Sequence, residues 1–324
     1  MPNIPRFICK QMARIVPGKT LFGLNTPAFL PFYHTVSNSH LAHVLNYPYR
    51  DANTFESELD YLLKYFTPVS LEEFHENPHG SGKKFHLTFD DGLSECAEII
   101  APILSRKGIP ATFFINSDFV GNKALFHRYK ASLLLNGLLT DPDSETESFL
   151  AKHGIFRNNL LKTPYHQKEL IDQAAELLEI DFAAFLKEQQ PYMTKSQLKQ
   201  LHKQGFTIGG HSCSHPEFWL MKKNAQFDEI EKNMEWINRH FEPKIKAFAF
   251  PFTDHGVSGK LLNKLVKKQI CDLTFGTAGL KFDSVSAHFQ RYPVEMPGDF
   301  ANNLKAEFLY FFLRKWVGKA KVNH

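Results

Sequence analysis

The chain alternates between short apolar runs that predict strands and longer segments whose apolar spacing predicts helices. Residues 28–36 (AFLPFYHTV) predict a strand of aromatic and β-branched residues that ends at His34. The segment 53–66 carries apolar residues along one helical face, with Asn53 or Thr54 as the expected N-cap. The same rhythm continues through a glycine-bearing loop at 77–82, a strand at 83–89, a helix at 93–107 and a strand at 108–116.

Polar side chains stand at the ends of these predicted strands. His34, the pair Asp90 and Asp91, and Asn116 each follow an apolar run. Strands that alternate with helices form parallel β/α units, and the carboxyl ends of parallel strands lie at the same face of the fold. We therefore expect these side chains to gather at one site.

Residues 121–192 interrupt this rhythm with helical patterns, the polar stretch DPDSETES and no convincing strand. We interpret them as a helical insertion laid over the β/α core; a separate helical domain is the alternative. The β/α pattern then returns with a helix at 195–203, a strand at 205–212, a helix at 224–241, a strand at 246–252, a helix at 258–268 and strands at 273–275 and 291–294. The expected fold class is α/β, with residues 1–324 in a single domain.

Composition and charge exclude several classes of protein. The 324 residues are 43% hydrophobic and 22% charged, which is typical of a globular chain and not of a disordered or fibrous one. A net charge of +4 is far from the concentrated positive field of a nucleic-acid-binding protein. The four cysteines are widely separated, which predicts reduced thiols in a reducing compartment.

Two segments bear on membrane contact. The N-terminus has basic residues but no continuous apolar stretch or cleavage site, so neither a secretory signal nor a spanning helix is expected. Residues 301–324 predict a basic, aromatic helix. That helix could lie on an anionic membrane surface, but a last barrel helix with inward-facing aromatic residues is the preferred interpretation.

A pair of adjacent carboxylates follows the strand at 83–89. Asp90 and Asp91 precede Gly92, and neighbouring carboxylates repel each other unless a cation or a proton resolves the conflict. Adjacent side chains on a strand point to opposite sides, so one carboxylate could bind a metal while the other abstracts a proton. On this segment alone, a turn that caps the following helix is an equally good explanation.

Two histidines lie at the end of the predicted strand at 205–212 and just beyond it. His211 and His215 stand in H-x-x-x-H spacing between a glycine pair and a proline, which indicates a loop that faces a site. Two imidazoles and one carboxylate form a facial triad with open positions for water and substrate, which suits metal-assisted hydrolysis. Such pairs also arise by chance in helices. Cys213, midway between them, is interpreted as structural.

Taken together, these motifs resemble those of the polysaccharide deacetylases of the NodB-homology group. LTFDDG (87–92), HSCSH (211–215) and FAFPF (248–252) occur in this order on successive predicted strands. The first two motifs are specific and the third is loose, and the resemblance runs through most of 28–295 apart from the insertion. It implies a distorted β/α barrel with fewer than eight strands, a divalent metal and hydrolysis of N- or O-acetyl groups on sugars.

The resemblance also implies roles for individual residues. Three residues match the metal ligands of the family: Asp91, His211 and His215. Asp90 matches the catalytic base that takes a proton from the attacking water. A backbone N–H near Phe252, beside Pro251, is expected to stabilise the oxyanion.

The third motif departs from the family pattern. Many relatives have an arginine two residues before the proline and a tyrosine after it, whereas this chain has Ala249 and Phe252. Arg291, at the start of the last predicted strand, is a candidate substitute for the arginine that orients the base. A salt bridge at the barrel rim explains Arg291 equally well.

The general acid is also displaced, because the usual C-terminal leucine-x-histidine motif is absent. PFYHTV (31–36) is similar to the first strand of the poly-N-acetylglucosamine deacetylase subgroup, where that strand supplies the acid histidine. On this analogy His34 protonates the leaving amine; without it, His34 would be interpreted as a core residue. His255 could bind substrate, tune the base or act as an alternative acid, and an exposed histidine beside a helix N-cap explains it as well.

These expectations describe a metal-dependent enzyme that removes acetyl groups from N-acetylated sugars of a polysaccharide or of its biosynthetic intermediate. Zinc is the expected metal, although cobalt, nickel or manganese would also fit the ligands. The expected location is the cytoplasm, where the basic aromatic helix at 301–324 could also contact the inner membrane face. The alternatives are a non-catalytic carbohydrate-binding relative of the same fold and a hydrolase of acetyl esters or small amides.

Overall fold

The structure, a computed structural model, describes residues 4–24, 26–78 and 83–324. Most of the predicted loop at 77–82 therefore lies outside the described residues. The strands are β1 Pro31–Tyr33, β2 Thr67–Pro68, β3 Lys84–Phe85, β4 Leu87–Phe89, β5 Ala111–Ile115, β6 Thr207–Gly210, β7 Ala247–Ala249, β8 Leu273–Gly276, β9 Phe282–Asp283, β10 His288–Gln290, β11 Tyr292–Pro293 and β12 Lys321–Val322.

Helices connect most of these strands. They are α1 Ile4–Met12, α2 Gly18–Leu21, α3 Ala52–Tyr65, α4 Leu71–Glu76, α5 Ala101–Lys107, α6 His127–Thr140, α7 Ser144–Lys152, α8 Lys168–Leu177, α9 Phe182–Gln189, α10 Lys195–Lys203, α11 Lys223–Phe241, α12 Gly259–Lys267 and α13 Phe300–Trp316. Among the described residues, no helix is both long and apolar enough to span a membrane.

The main sheet is a distorted β/α barrel. Its eight strands have the order β10-β8-β7-β6-β5-β4-β1-β11, and every pairing is parallel. Only Arg291 separates β10, which pairs with β8, from β11, which pairs with β1. These two short strands therefore act as one continuous stretch that joins the two sides of the sheet. The predicted distorted β/α barrel is confirmed, but the expectation of fewer than eight strands was wrong, because the last extended stretch is divided at Arg291 into two strands, β10 and β11.

Alternate residues on the strands face the barrel interior and the surrounding helices, as the period of two requires. Tyr33, Phe89 and Phe113 stack in a row on the outer face, with ring centroids 5.9 and 5.1 Å apart. Phe32 and Phe114 belong to the inner face, where both rings lie against the guanidinium of Arg291. The inner face thus holds a buried cation within an aromatic lining.

Two predicted helix starts differ from the structure. The N-cap of α3 is Asp51, whose carboxylate accepts a 2.9 Å hydrogen bond from the Thr54 amide, so the expectation of Asn53 or Thr54 was wrong. The helix expected at 93–107 begins with a π-helical turn at Cys96–Ile100 before α5. Pro102 has no N–H to donate to the carbonyl four residues earlier, which the wider turn accommodates.

The segment between β5 and β6 contains α6 to α10 and no named strand. Its first helix, α6, contributes Phe126 and Tyr129 at its start to an apolar cluster with Leu93 and Tyr192. The insertion is thereby in contact with the carboxyl ends of the barrel strands, where Leu93 follows β4.

Helix α13 packs its aromatic residues inward. Phe308 contacts Phe22, Phe29 and Phe66, with ring centroids 4.8 to 6.0 Å apart, and Phe311 is fully buried. This inward packing matches the preferred interpretation of residues 301–324, a last barrel helix with inward-facing aromatic residues. Trp316 at the end of the helix is exposed.

Candidate active site

The carboxyl ends of the barrel strands bring the predicted polar residues together. Asp90 and Asp91 follow β4, His211 follows β6, and His34 follows β1. Parallel pairing of β1 with β4, and of β4 through β5 to β6, places these positions at one face. Residues that are up to 177 positions apart in the chain (34 to 211) thus share one site.

Asp90 is held by a buried arginine. Arg291 is fully buried, and its Nη1 and Nη2 donate to Oδ1 and Oδ2 of Asp90 at 2.6 and 2.7 Å. A second bond from Nη1 reaches the hydroxyl of Thr88 at 3.1 Å. Burial opposes ionisation of Asp90, but the guanidinium outweighs it and lowers the pKa of the carboxyl. Asp90 is therefore an oriented carboxylate at neutral pH, and Arg291 lies where the candidate substitute was expected.

Asp91 and two histidines form a second group beside this pair. The Nε2 atoms of His215 and His211 lie 3.1 and 3.5 Å from Asp91 Oδ1. All three residues are less than 5% exposed, and Asp91 Oδ1 makes no hydrogen bond among the described residues. A buried carboxylate oxygen without a hydrogen bond, facing two imidazole nitrogens, fits a divalent cation.

The protonation states of the histidines suit metal binding. His211 Nδ1 lies 2.8 Å from the carbonyl oxygen of Ala249, which can only accept, so Nδ1 carries a proton and Nε2 is the nitrogen that faces Asp91. Burial lowers the pKa of His215 to about 4, which leaves its imidazole neutral at physiological pH. Two imidazoles and one carboxylate are a donor set that suits zinc-like ions.

Left-handed backbone conformations concentrate at this site. Asp91, Ser212, His215 and Phe252 have φ of 69°, 68°, 57° and 57° although none of them is glycine. Each such conformation is disfavoured by a steric clash of Cβ and persists only where the surroundings enforce it. The chain here accepts local strain in order to aim the side chains, which is typical of functional sites.

Two tyrosines orient Asp91 from the opposite side. The hydroxyls of Tyr129 and Tyr47 donate to Asp91 Oδ2 at 2.8 and 3.2 Å and lie 2.5 Å from each other. Tyr129 belongs to α6, and Tyr47 to the loop between β1 and α3. With Oδ2 engaged, Oδ1 is left to face the imidazoles of His211 and His215.

His34 forms an ion pair with Glu295. Its Nδ1 lies 2.6 Å from Glu295 Oε2, and its ring stacks on Tyr47 with centroids 4.1 Å apart. Burial lowers the pKa of His34, but the Glu295 carboxylate outweighs it and raises that pKa from 6.5 to about 9. The imidazole therefore carries a proton at neutral pH. Its side chain is 23% exposed, more than the carboxylates and histidines deeper in the site, so it lies toward the entrance.

The third motif forms part of the wall. Pro251 is buried, and the ring of Phe252 packs edge-on against His215 with centroids 4.6 Å apart. Among the described residues, the amide nitrogen of Phe252 donates no hydrogen bond within the chain, which is what an oxyanion donor requires. His255 is exposed, and no contact is described between its side chain and the residues above. Its predicted role therefore gains no support from the geometry.

Sequence reasoning missed three residues of the site. Glu295 could have been predicted from the sequence, because it lies four residues after Arg291. In an extended strand, residues at that spacing share one side. Tyr47 and Tyr129 carry no such signal, since only the tertiary fold brings the loop and the insertion to Asp91.

The comparisons with known proteins agree with the geometry of the site. The family model for polysaccharide deacetylases matches residues 77–269, more than half of the chain. The chain belongs to the polysaccharide deacetylase family. It is accordingly a deacetylase, a hydrolase by reaction class, and the resemblance drawn from the three motifs is confirmed. No curated protein sequence matches the chain.

Solved structures share the fold of this deacetylase at low sequence identity. IcaB from Ammonifex degensii is 16% identical, with a TM-score of 0.56 over 87% of this chain and 97% of that one. The deacetylase PplD from Streptococcus pyogenes, solved in complex with acetate, is 14% identical, with a TM-score of 0.56 over 88% and 99%. A de-N-acetylase from Aggregatibacter actinomycetemcomitans is 13% identical, with a TM-score of 0.50 over 86% and 99%.

Proposed function

We propose that this deacetylase is a metal-dependent enzyme that hydrolyses the acetyl amide of N-acetylated sugars in a polysaccharide or its biosynthetic intermediate. The observation that carries the proposal is the unpaired Asp91 Oδ1 beside the Nε2 atoms of His211 and His215. The ordered ion pair of Asp90 with Arg291 lies next to it. Together they supply a cation site and a base, which are the two requirements of amide hydrolysis by water.

The metal we propose is zinc, held by Asp91, His211 and His215. A bound divalent ion of this kind polarises a carbonyl oxygen and lowers the pKa of water, which is needed because an amide is a poor electrophile. A donor set of one carboxylate and two imidazoles suits zinc and also accommodates cobalt, nickel or manganese.

The protein groups divide the proton transfers between them. Asp90, kept ionised and oriented by Arg291, accepts the proton of the attacking water. His34, protonated through its pair with Glu295, donates a proton to the departing sugar amine. The free amide of Phe252 offers a hydrogen bond to the oxyanion. One carboxylate and one imidazole with opposite charge states thus act as base and acid in a single turnover.

Acetate release tests the proposal. Purified protein is incubated with oligomers of N-acetylglucosamine and, in parallel, with an O-acetylated sugar such as acetylated xylan. We expect acetate from the N-acetylated sugar, loss of the activity after chelation and its return with zinc. Asp90→Asn should abolish turnover while zinc content stays at the wild-type level, because Asp90 is not among the metal-binding residues. Activity that survives chelation and full metal removal would contradict the proposal.

Location in the cytoplasm and contact with a membrane surface are further parts of this proposal. All four cysteines are free, which suits a reducing compartment. The surface that could meet a membrane is formed by α1, with Ile4, Phe7 and Ile8 exposed, together with Trp316. Lys10 in the last turn of α1 and Arg14 just after the helix suit anionic lipid.

Co-sedimentation with vesicles tests the membrane contact. Wild-type protein should sediment with vesicles that contain phosphatidylserine more than with neutral vesicles. Phe7→Glu together with Trp316→Glu should abolish this binding without changing acetate release from a soluble oligomer. Equal sedimentation of the wild type and this variant would argue against a membrane surface.

A further inference from the structure

A second cluster of metal-ligating side chains lies outside the active site. It brings together Asp254 from the loop after β7, Asp283 of β9, His288 of β10 and His324, which follows β12. One ligand atom from each residue lies within 4.8 Å of the other three. The active-site chemistry described above uses none of these residues.

The distances between the ligand atoms are short. His288 Nε2 lies 2.9 Å from Asp254 Oδ2, and His324 Nε2 lies 3.1 Å from Asp283 Oδ2 and 3.5 Å from Asp254 Oδ2. Ligands at about 2.0–2.2 Å from a tetrahedral zinc ion are themselves about 3.3–3.6 Å apart. The cluster therefore has the dimensions of a four-coordinate site and needs only small adjustments to hold an ion.

Burial excludes water from the four side chains. Each of them is at most 5% exposed, including that of His324, whose exposure as a residue lies in its main chain. Gly276 allows the close approach, since a Cβ atom there would lie 2.5 Å from the carboxyl carbon of Asp254. The fold thus keeps space for the carboxylate at this position.

The outer hydrogen bonds direct both imidazoles toward the cluster. His324 Nδ1 lies 3.1 Å from the carbonyl oxygen of Val257, which can only accept, so Nδ1 carries a proton and Nε2 turns inward. His288 Nδ1 lies 2.8 Å from the hydroxyl of Thr274, and its Nε2 also faces the carboxylates. A histidine that ligates a metal is usually held in this way through its other ring nitrogen.

The carboxylates are oriented as well. Gln290 Nε2 donates to Asp254 Oδ2 at 2.6 Å and to Asp283 Oδ2 at 2.9 Å. The Ala278 amide donates to Gln290 Oε1, which fixes which end of the side-chain amide faces the carboxylates. A neutral amide adds no charge, so two buried carboxylates still require a cation, either protons on the imidazoles or a metal ion.

We propose that Asp254, Asp283, His288 and His324 form a second binding site for a divalent transition-metal ion of the zinc type. Four protein ligands close the coordination shell, which is the pattern of a structural site and not of a catalytic one. The ion links β12 to the barrel and anchors the loop after β7, in which Phe252 lies two residues before Asp254. Its role is to hold the third motif against the active site.

Metal content measured in an active-site variant tests this site independently of the proposed function. His211→Ala with His215→Ala removes the first group of ligands, and the protein is then stripped with a chelator, reloaded with zinc and dialysed. We expect about one zinc ion per chain by elemental analysis, and a higher melting temperature with zinc than without it. Adding His324→Ala should abolish both effects, whereas adding His153→Ala, which changes an exposed histidine at the C-cap of α7, should leave both unchanged.

The outcomes are decisive in either direction. No zinc in the active-site variant would show that protons on the imidazoles balance the carboxylates, and the same zinc content with and without His324→Ala would show that the zinc binds elsewhere. Either result would overturn the proposal. If His324→Ala does not fold, as judged by circular dichroism, Asp283→Asn replaces it, because it removes the charge and keeps the side-chain shape. If the active-site variant binds zinc and the added Asp283→Asn abolishes that binding, the second site is supported.

Discussion

Arg291 and Asp90, 201 positions apart in the chain, form a two-pronged ion pair inside the barrel. The guanidinium fork matches both carboxylate oxygens, which a lysine ammonium cannot do. Arg291→Lys should therefore lower kcat/KM for acetate release by about 10- to 100-fold, because a hydrogen bond to a charged group contributes about 1.5–3 kcal/mol. Zinc content should not change. Steady-state kinetics and elemental analysis of the same preparation check both points.

A matched control separates positioning from stability in this experiment. Arg314 is a second buried arginine, and its Nη2 donates to Glu307 Oε1 at 2.9 Å, far from Asp90 in the sequence and on α13. Arg314→Lys should lower the melting temperature and leave kcat/KM of the folded protein unchanged. If both lysine variants lost activity in proportion to their stability, Arg291 would be a structural residue only.

The pair of His34 with Glu295 predicts the alkaline limit of activity. The folded-state pKa of His34 is raised from 6.5 to about 9, so the imidazole keeps its proton below about pH 9 and loses it as the pH rises through that value. A general acid must hold its proton, and kcat/KM should therefore fall above about pH 9. Glu295→Gln removes the carboxylate that raises the pKa, so the fall should begin at least about one unit lower. The pH profile of kcat/KM for acetate release measures the shift.

The pair of His34 with Glu295 also makes the stability of the fold depend on pH. Because the folded-state pKa lies above the unfolded value, the pair stabilises the fold below about pH 6.5, and this contribution is lost as the pH rises through about 9. Glu295→Gln should thus cost more stability at pH 6 than at pH 10. Glu235→Gln, an exposed carboxylate on α11, provides the control and should shift neither profile. An unchanged alkaline limb in Glu295→Gln would exclude His34 as the acid.

The sequence predicted the parts of the site that follow from strand periodicity. Asp90, Asp91 and His211 stand directly at strand ends, where a parallel β/α pattern concentrates chemistry. Arg291 could be proposed because it starts a predicted strand, and only the fold shows that its side chain lies inside the barrel and pairs with Asp90. Here a single residue separates β10 from β11, a detail of barrel closure that no local pattern encodes.

The remaining parts depend on contacts between distant segments. Tyr47 and Tyr129 reach Asp91 only because the loop after β1 and helix α6 of the insertion converge on it. The second metal cluster is equally hidden in the sequence, since it joins Asp254 to His324 through the pairing of β12 with β9. Hydrophobic periodicity predicts helices and strands. The contacts between these distant segments depend on how the helices and strands pack together.

The hydroxyl of Tyr129 should control metal affinity from outside the ligand set. Tyr129→Phe removes the 2.8 Å hydrogen bond to Asp91 Oδ2 and keeps the ring, which packs against Phe126 and Tyr192. Loss of such a bond to a ligating carboxylate typically weakens metal binding about 10- to 100-fold. Competition with a chelator of known affinity gives the zinc dissociation constant of the active site. A variant lacking His324 avoids a contribution from the second cluster.

Tyr192 supplies the control for this substitution. It is equally buried, but its hydroxyl accepts a hydrogen bond from the Phe126 amide and does not contact Asp91. Tyr192→Phe should therefore leave zinc affinity close to the wild-type value. Equal affinities for the wild type and Tyr129→Phe would mean that Tyr47 alone orients Asp91, and Tyr47→Phe combined with Tyr129→Phe would then be the variant to measure.

Gly210, immediately before His211, should be intolerant of a side chain. A Cβ atom there would lie 2.6 Å from the sulfur of Met234 and would also collide with the side-chain oxygen of Asn233. Asn233 Nδ2 and the His211 amide both donate to the carbonyl oxygen of Ile115, at 3.1 and 3.0 Å. Displacing Asn233 therefore disturbs the carbonyl group of Ile115, which holds the His211 amide by a hydrogen bond.

Gly210→Ala should lower the free energy of unfolding by about 1–3 kcal/mol, as overpacking of a well-filled core does. It should also weaken zinc binding, because His211 moves with its backbone. Urea denaturation and zinc competition measure the two effects, and Gly23→Ala, where the nearest atom would lie at an ordinary 3.5 Å, should change neither. If Gly210→Ala matched the wild type in both measurements, β6 would have room to shift, and the rigid placement of His211 that the proposed chemistry relies on would be wrong.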